Sequence, residues 1–152
     1  MLELLRTNAE DEDFLALVEL LDADLRMRDG EEHAFYAQFN KPVGLAGIVV
    51  AYLGAVPVGC GAFKKYSEKS SEIKRMFVKP EARGQRIGGA ILGELERWSA
   101  EGNFSECILE TGLKQPEAIA LYKRSGYEVI PNYGQYEGVE NSVCMKKLFD
   151  KN

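Results

Sequence analysis

The stretch Glu72-Ile73-Lys74-Arg75-Met76-Phe77-Val78-Lys79-Pro80-Glu81-Ala82-Arg83-Gly84-Gln85-Arg86-Ile87-Gly88-Gly89-Ala90 decides the fold. Glu72–Val78 reads as a strand, Pro80 ends it, and a glycine-rich turn follows. Beyond the turn, Ile91, Leu92, Leu95 and Trp98 recur on one face of a helix that Gly102 stops. A turn of this kind aims successive backbone N–H groups at one point, at the positive end of the helix dipole. Such a nest holds phosphate without metal or acid chemistry. Gly84, Gly88 and Gly89 keep side chains clear of a close ligand. Two familiar phosphate loops are excluded. Arg86 stands where the second glycine of Gly-x-Gly-x-x-Gly would be, and no Gly-Lys-Ser/Thr follows. From the loop alone, a phosphate cradle and a connection whose glycines serve packing both remain open.

Working outward, Met1–Arg6 reads as a first strand, and Thr7-Asn8-Ala9-Glu10 has the spacing of a capping box. Phe14, Leu17, Val18, Leu21 and Leu25 follow at helical intervals to about Met27, with Asp29-Gly30 as the stop. Glu31–Phe39 reads as a second short helix. Gly47–Leu53 and Val56–Tyr66 are β-rich runs joined at Gly54-Ala55, a hairpin signal. On the other side, Phe104–Thr111 is a strand and Pro116–Ser125 a helix opened by its proline, with Gly126 after it. Tyr127–Ile130 and Ser142–Leu148 close the chain as strands. The expected order is βααβββαβαββ, an α/β fold, with residues 1–152 read as a single domain without linker or repeat.

Composition narrows the class. Hydrophobic residues at 45% and charged residues at 28% suit an ordinary globular core, and no apolar run is long enough to span a bilayer. Acidic residues in MLELLRTNAEDEDF replace the basic and apolar parts of a signal peptide, so a cytoplasmic location is expected. Cys60, Cys107 and Cys144 are odd in number and lie within apolar segments, which reads as reduced core thiols. One histidine, His33, and scattered cysteines leave no zinc set, so no metal is expected. A net charge of −5 argues against nucleic-acid binding, and nothing suggests a membrane partner. The nucleophile elbow Gly-x-Ser-x-Gly is absent, which removes an α/β-hydrolase.

Read together, Glu72-Ile-Lys-Arg-Met-Phe-Val78-x-Pro80-x-x-Arg83-Gly84-Gln-Arg-Ile87-Gly88 resembles motif A of the GNAT superfamily of N-acetyltransferases. Gln115-Pro-Glu-Ala118-Ile-Ala-Leu121-Tyr122-x-x-x-Gly126-Tyr127 resembles its motif B. The likeness runs from about Val43 to Leu148. It is greatest to a bacterial branch of small single-domain GNAT proteins with Leu109-Glu-Thr-Gly112, Gln115–Ala118 and a tail like Pro131-Asn-Tyr-Gly134-x-Tyr136. The resemblance implies a mixed, mostly antiparallel sheet of about seven strands flanked by about four helices. It also implies acetyl-CoA as cosubstrate, an amine acceptor, and leaves room for a homodimer. One departure stands out: the family pattern expects glycine where this chain has Arg86. Arginine keeps the backbone N–H, so the nest can survive if that position has φ below zero, and its guanidinium can add a phosphate contact.

By the same resemblance, Arg83, Gly84, Gln85, Arg86, Ile87, Gly88, Gly89 and Ala90 hold the pyrophosphate. Met76, Phe77 and Val78 offer backbone to the pantetheine, and Gln115, Ala118 and Tyr122 complete the cofactor side. Tyr122 is the expected acid for the leaving thiolate, set against simple packing beside Leu121. Glu72 is the expected base, set against a solvent-facing strand-edge glutamate. The backbone N–H of Met76 or Phe77 is the expected oxyanion donor. Because side chains alternate along a strand, only one of Lys74 and Arg75 is expected to face the acceptor; Arg75 would pair with a substrate carboxylate, set against a solvated face or a phosphate partner. Glu110 and Thr111 either shape the acceptor cleft or cap the turn, and Gln115 either meets the cofactor or caps the helix. His33, Tyr36, Phe39, Tyr133 and Tyr136 either line the acceptor side or are semi-buried packing, Tyr36 and Tyr136 being the acceptor candidates. Three functions stay open: acetylation of a small amine, an amino-acid-like one included; acetylation of a protein N-terminus or lysine; and a CoA-binding module without turnover.

Overall fold

In the computed structural model, residues 1–30 and 44–149 are described. Seven strands form one sheet: β1 (Leu2–Thr7), β2 (Leu45–Leu53), β3 (Val56–Lys65), β4 (Ser70–Val78), β5 (Glu106–Gly112), β6 (Glu128–Ile130) and β7 (Ser142–Leu148). Three α-helices lie among the described residues: α1 (Glu12–Asp29), α2 (Ile87–Glu101) and α3 (Pro116–Arg124). The second helix expected at Glu31–Phe39 lies outside them, as do His33, Tyr36 and Phe39. The sheet order is β1-β2-β3-β4-β5-β7-β6, antiparallel throughout except for the parallel pair β4–β5. The α/β fold of seven strands is thus the one the pattern of elements predicts.

Alternation in β2 shows why the sheet is covered on both faces. Val49 and Ala51 join Ile91, Leu92 and Leu95 of α2 in one core, while Ile48 and Val50 join Phe14, Leu17 and Leu21 of α1 in another. All of these side chains are buried, so α1 lies on one face and α2 on the other. The edge strand β1 is tied down by Arg6, which bonds Glu94 and Glu101 of α2 at 2.7 Å each and lies over the Trp98 ring.

Two local expectations are corrected. The cap of α1 is Asp11, not Thr7 with Glu10: Asp11 Oδ1 accepts from the backbone N–H of Asp13 and Phe14 at 2.9 and 3.0 Å. Thr7 is drawn into β1, opposite Ile48, and its hydroxyl instead donates to Asp11 Oδ2 at 2.9 Å. Strand pairing therefore outcompetes the capping box by moving the helix start four residues on. Replacing Asp11 with alanine is expected to cost about 1 kcal/mol, read as a lowered denaturation midpoint at unchanged slope.

The second correction lies in β4. Cys60 pairs with Phe77 but Ala62 pairs with Lys74, so Arg75 and Met76 together face Gly61. This is a β-bulge, with Arg75 at φ 57°. It reverses the strand's facing: Ile73 packs in the α2 core, yet Phe77, four residues later, packs in the α1 core. Gly61 is needed opposite the bulge, since a Cβ there would sit 2.5 Å from the Met76 sulfur. The Cys60 thiol donates to the bulge carbonyl of Arg75 at 3.4 Å, and burial pushes that thiol's pKa up to about 12.

Candidate active site

After Glu72, ahead of the bulge, β4 and β5 part. They pair only at Ser70–Glu106, Ser71–Cys107 and Glu72–Ile108, although β4 continues to Val78 and β5 to Gly112. The cleft so opened contains two cavities, of about 390 and 90 Å³. Both are lined by Met76, Gln115 and Tyr122, so they meet in the splay.

The larger cavity lies against the start of α2. Arg83, Gly84, Arg86, Ile87, Gly88 and Gly89 line it on one side. Met76, Phe77 and Val78 of β4 line the floor, and Ala118, Leu121 and Tyr122 of α3 the opposite wall. Gln85 and Ala90, expected among the phosphate ligands, do not line it. Gln85 turns its amide back to the Ala82 carbonyl at 3.3 Å, and Ala90 lies inside α2, its N–H bonded to the Arg86 carbonyl. The helix start has no side-chain cap, which leaves its first N–H groups for a ligand. Arg83 folds back over the Phe77 ring, its Nε donating to the Val78 carbonyl at 2.9 Å.

Arg86 departs from expectation. Its φ is 63°, in the left-handed region, so the condition of φ below zero is not met. With Gly84 at φ 83°, the chain makes two left-handed steps in three residues, which turns the amides inward. A non-glycine residue held there costs of the order of 1–3 kcal/mol, partly offset because glycine would lose more chain entropy on folding. Arg86→Gly is therefore expected to raise stability by about 1 kcal/mol in denaturant melts. The same change is expected to weaken acetyl-CoA binding about five- to tenfold by calorimetry, because a guanidinium at the cavity is lost.

The smaller cavity is polar. Glu72, Lys74, Arg75, Glu110, Thr111 and Tyr136 line it, closed by Leu21 and Leu25 of α1. The expectation that only one of Lys74 and Arg75 faces this side is overturned, because the bulge breaks the alternation. Arg75 is also not the open carboxylate receptor it was taken for. Its guanidinium is bound to Asp22 of α1 at 2.5 Å, with 3% of the side chain exposed. The Lys74 ammonium lies 3.4 Å from the Tyr136 hydroxyl, 5.9 Å from the centre of that ring and 3.9 Å from Glu72. Burial pushes its pKa below the usual lysine range, against the pull of Glu72 and Glu110.

Glu72 is buried rather than solvent-facing, and its Oε2 accepts from the Tyr133 hydroxyl at 2.6 Å. Burial, and then the Glu72 charge, raise the Tyr133 phenol. Tyr133 and Tyr136 lie at the short 3-10 turn Gly134–Tyr136, so the segment before β7 folds down onto β4. Tyr122 is buried, edge-on to Tyr127 at 5.9 Å, and burial with the Glu110 charge raises its pKa well above the usual tyrosine value. Gln115 stands at the N-cap of α3 without a side-chain capping bond and lines both cavities.

Sequence reasoning passed over Asp22, Leu21 and Leu25, whose spacing reads as helix core face. It also passed over Asp24, Glu117 and Arg124 around the larger cavity. Arg28 joins two of these elements, pairing with Asp24 at 3.0 Å and with Glu117 across the mouth between α1 and α3. Charged surface residues carry no periodic signal that would single them out. Among the described residues no helix is long and apolar enough to cross a membrane.

Comparison with known proteins sets this cleft in a family. The model of the acetyltransferase (GNAT) family matches residues 10–127. The chain is 38% identical over 100 residues to an IAA acetyltransferase of Azospirillum brasilense, covering 65% of each protein. It is 31% identical over 111 residues to an uncharacterised N-acetyltransferase of Escherichia coli, covering 72% of this chain and 66% of that one. The chain thus matches just under two thirds of the length of either relative. A Klebsiella pneumoniae protein assigned as an acyl-CoA N-acyltransferase superposes with a TM-score of 0.82 at 31% identity, over 98% of this chain and 99% of that one. The PaiA N-acetyltransferase of Thermoplasma acidophilum, solved with coenzyme A, shares the fold at a TM-score of 0.73 and 18% identity, over 98% and 99% of the two chains. With the match spanning the β4–α2 turn and α3, this chain belongs to the acetyltransferase (GNAT) family.

Proposed function

We propose that the chain, residues 1–152 acting as one domain, transfers the acetyl group of acetyl-CoA to an amine of a small acceptor by direct attack in a ternary complex. One observation carries this reading: two cavities of unlike character meet at Tyr122, one against an uncapped glycine-rich helix start, the other polar and closed by tyrosines. The larger suits a long phosphate-bearing chain, and its glycines leave the cradle clear: a Cβ on Gly84 or Gly89 would meet nothing within 4 Å. Acetyl-CoA supplies an activated thioester there.

The residues then divide the work. The backbone N–H groups of Ile87, Gly88 and Gly89 face the pyrophosphate, and β4 offers Met76–Val78 as an open strand edge. Met76 sits at the bulge and lines both cavities, and its backbone N–H is the oxyanion donor in this reading. Tyr122 donates its phenolic proton to the departing sulfur. The amine proton goes to Glu72 through a water, with Tyr133 fixing the carboxylate. A small acceptor is favoured over a peptide because Tyr133 and Tyr136 bear on β4 where an extended chain would lie. A cytoplasmic setting agrees with three buried, free cysteines.

Thiol release, followed with acetyl-CoA over a panel of small amines and a peptide library, tests the reading. Turnover of small amines with idle peptides is expected. Peptide acetylation alone, or tight acetyl-CoA binding with no release for any amine, would overturn it.

A further inference from the structure

The bulge at Arg75–Met76 sits where β4 has little to hold it. Past Glu72 the strand has no register partner on β5, and on β3 the pairing skips from Lys74 to Phe77. Arg75 nevertheless stands at φ 57°, a left-handed conformation that a long side chain keeps only when its surroundings impose it. Two contacts do so. The Cys60 thiol donates to the Arg75 carbonyl at 3.4 Å, and the Arg75 guanidinium donates to Asp22 Oδ1 at 2.5 Å. The Arg75 side chain is 3% exposed, and Asp22 is the carboxylate paired with it among the described residues. We propose that Asp22 is a positioning residue for acetyl transfer: by anchoring Arg75 to α1 it holds the bulge in its left-handed form and so aims the Met76 N–H at the developing oxyanion. This rests on the acetyl-transfer reading above, with Met76 as donor, and names the residue that sets that donor's direction.

One planar group links clamp and donor. The Arg75 carbonyl and the Met76 N–H belong to the same peptide, so what fixes the first fixes the second. A buried guanidinium deprived of its carboxylate is strongly unfavourable, and Arg75 reaches water by letting φ relax below zero. That relaxation turns the following peptide and swings the Met76 N–H off the oxyanion. Asp22 itself lines neither cavity, whereas its neighbour Leu21 lines both. Its influence on the reaction therefore passes through Arg75. It is also the same for every acceptor, because the oxyanion forms on the acetyl group and not on the amine.

The test compares single-turnover acetyl transfer by Asp22→Asn and Asp22→Glu with that of wild type, using the amines that wild type turns over. Asp22→Asn is expected to lower the rate about 10- to 30-fold, less than the full loss of an oxyanion donor because the N–H is misdirected rather than removed. The factor should be the same for each amine, with acetyl-CoA affinity and amine KM within about threefold. Asp22→Glu keeps the charge pair, and with it the fold, but shifts the guanidinium, and about a threefold loss in rate alone is expected. In an Arg75→Gly background no guanidinium needs an anchor and glycine takes positive φ freely, so adding Asp22→Asn is expected to cost less than about twofold. Unchanged rates in both single variants, even with lowered melting temperatures, make Asp22 a structural partner only; they overturn the inference and leave acetyl transfer standing. So does a loss confined to amine KM or differing from one amine to the next, or an undiminished loss in the Arg75→Gly background. A wild type that binds acetyl-CoA and acetylates none of the panel overturns the transfer reading, and this inference with it.

Discussion

Replacing Tyr122 with phenylalanine is expected to lower kcat about 100-fold and to leave acetyl-CoA affinity within about twofold. The ring is buried against Tyr127 and lines both cavities, so phenylalanine keeps the packing and removes only the hydroxyl. General acids contribute about 10²- to 10⁴-fold. The low end applies here, because burial and the Glu110 charge raise the phenol's pKa and make it a weaker acid. The sign of that shift has a second consequence. A phenol raised above its ordinary value of 10.0 stays protonated through neutral and mildly alkaline pH. The kcat profile should therefore show no alkaline loss from this group below about pH 10. Steady-state thiol release across pH measures both. An unchanged kcat in the phenylalanine variant would reduce Tyr122 to a packing residue.

Gly89→Asp should move stability and binding in opposite directions. Gly89 is the third residue of α2, with open space where a Cβ would go. An aspartate there replaces the least favourable non-proline helix residue and sets a negative charge near the positive helix end. The expected gain is about 0.5–1 kcal/mol, seen as a melting temperature a few degrees higher. The same carboxylate stands where the pyrophosphate would rest. Acetyl-CoA affinity should fall by at least about 100-fold, from a filled nest and like-charge repulsion. A purely structural turn would show the first effect without the second.

What the sequence made legible was local. The Gly54–Ala55 hairpin, the Gly102 stop of α2 and the Pro116 start of α3 depend on single residues with restricted or permissive backbones. Those signals, with the alternation in β2 and β3, suffice for the α/β order. The features that build the site are non-local. The bulge at Arg75–Met76 depends on Gly61 across the ladder and on the Cys60 thiol meeting the Arg75 carbonyl. No pattern within Glu72–Val78 announces it, and the alternation rule fails at Lys74 and Arg75 for that reason. The Arg75–Asp22 pair was not legible because Asp22 is 53 residues away on another element. The left-handed Arg86 was not legible because its own residue type argues for φ below zero. The capping box at Thr7–Glu10 met all local criteria and lost to pairing with Ile48.

The central claim is that acetyl-CoA lies in the splay between β4 and β5 with its phosphates on the start of α2. Backbone amide resonances followed while acetyl-CoA is added test this most directly. The account predicts saturable shifts centred on Met76–Val78, Gly84 and Ile87–Gly89, with a second group at Ala118–Tyr122. Saturation that leaves those amides unmoved while others shift, or no shifts at all, would contradict it.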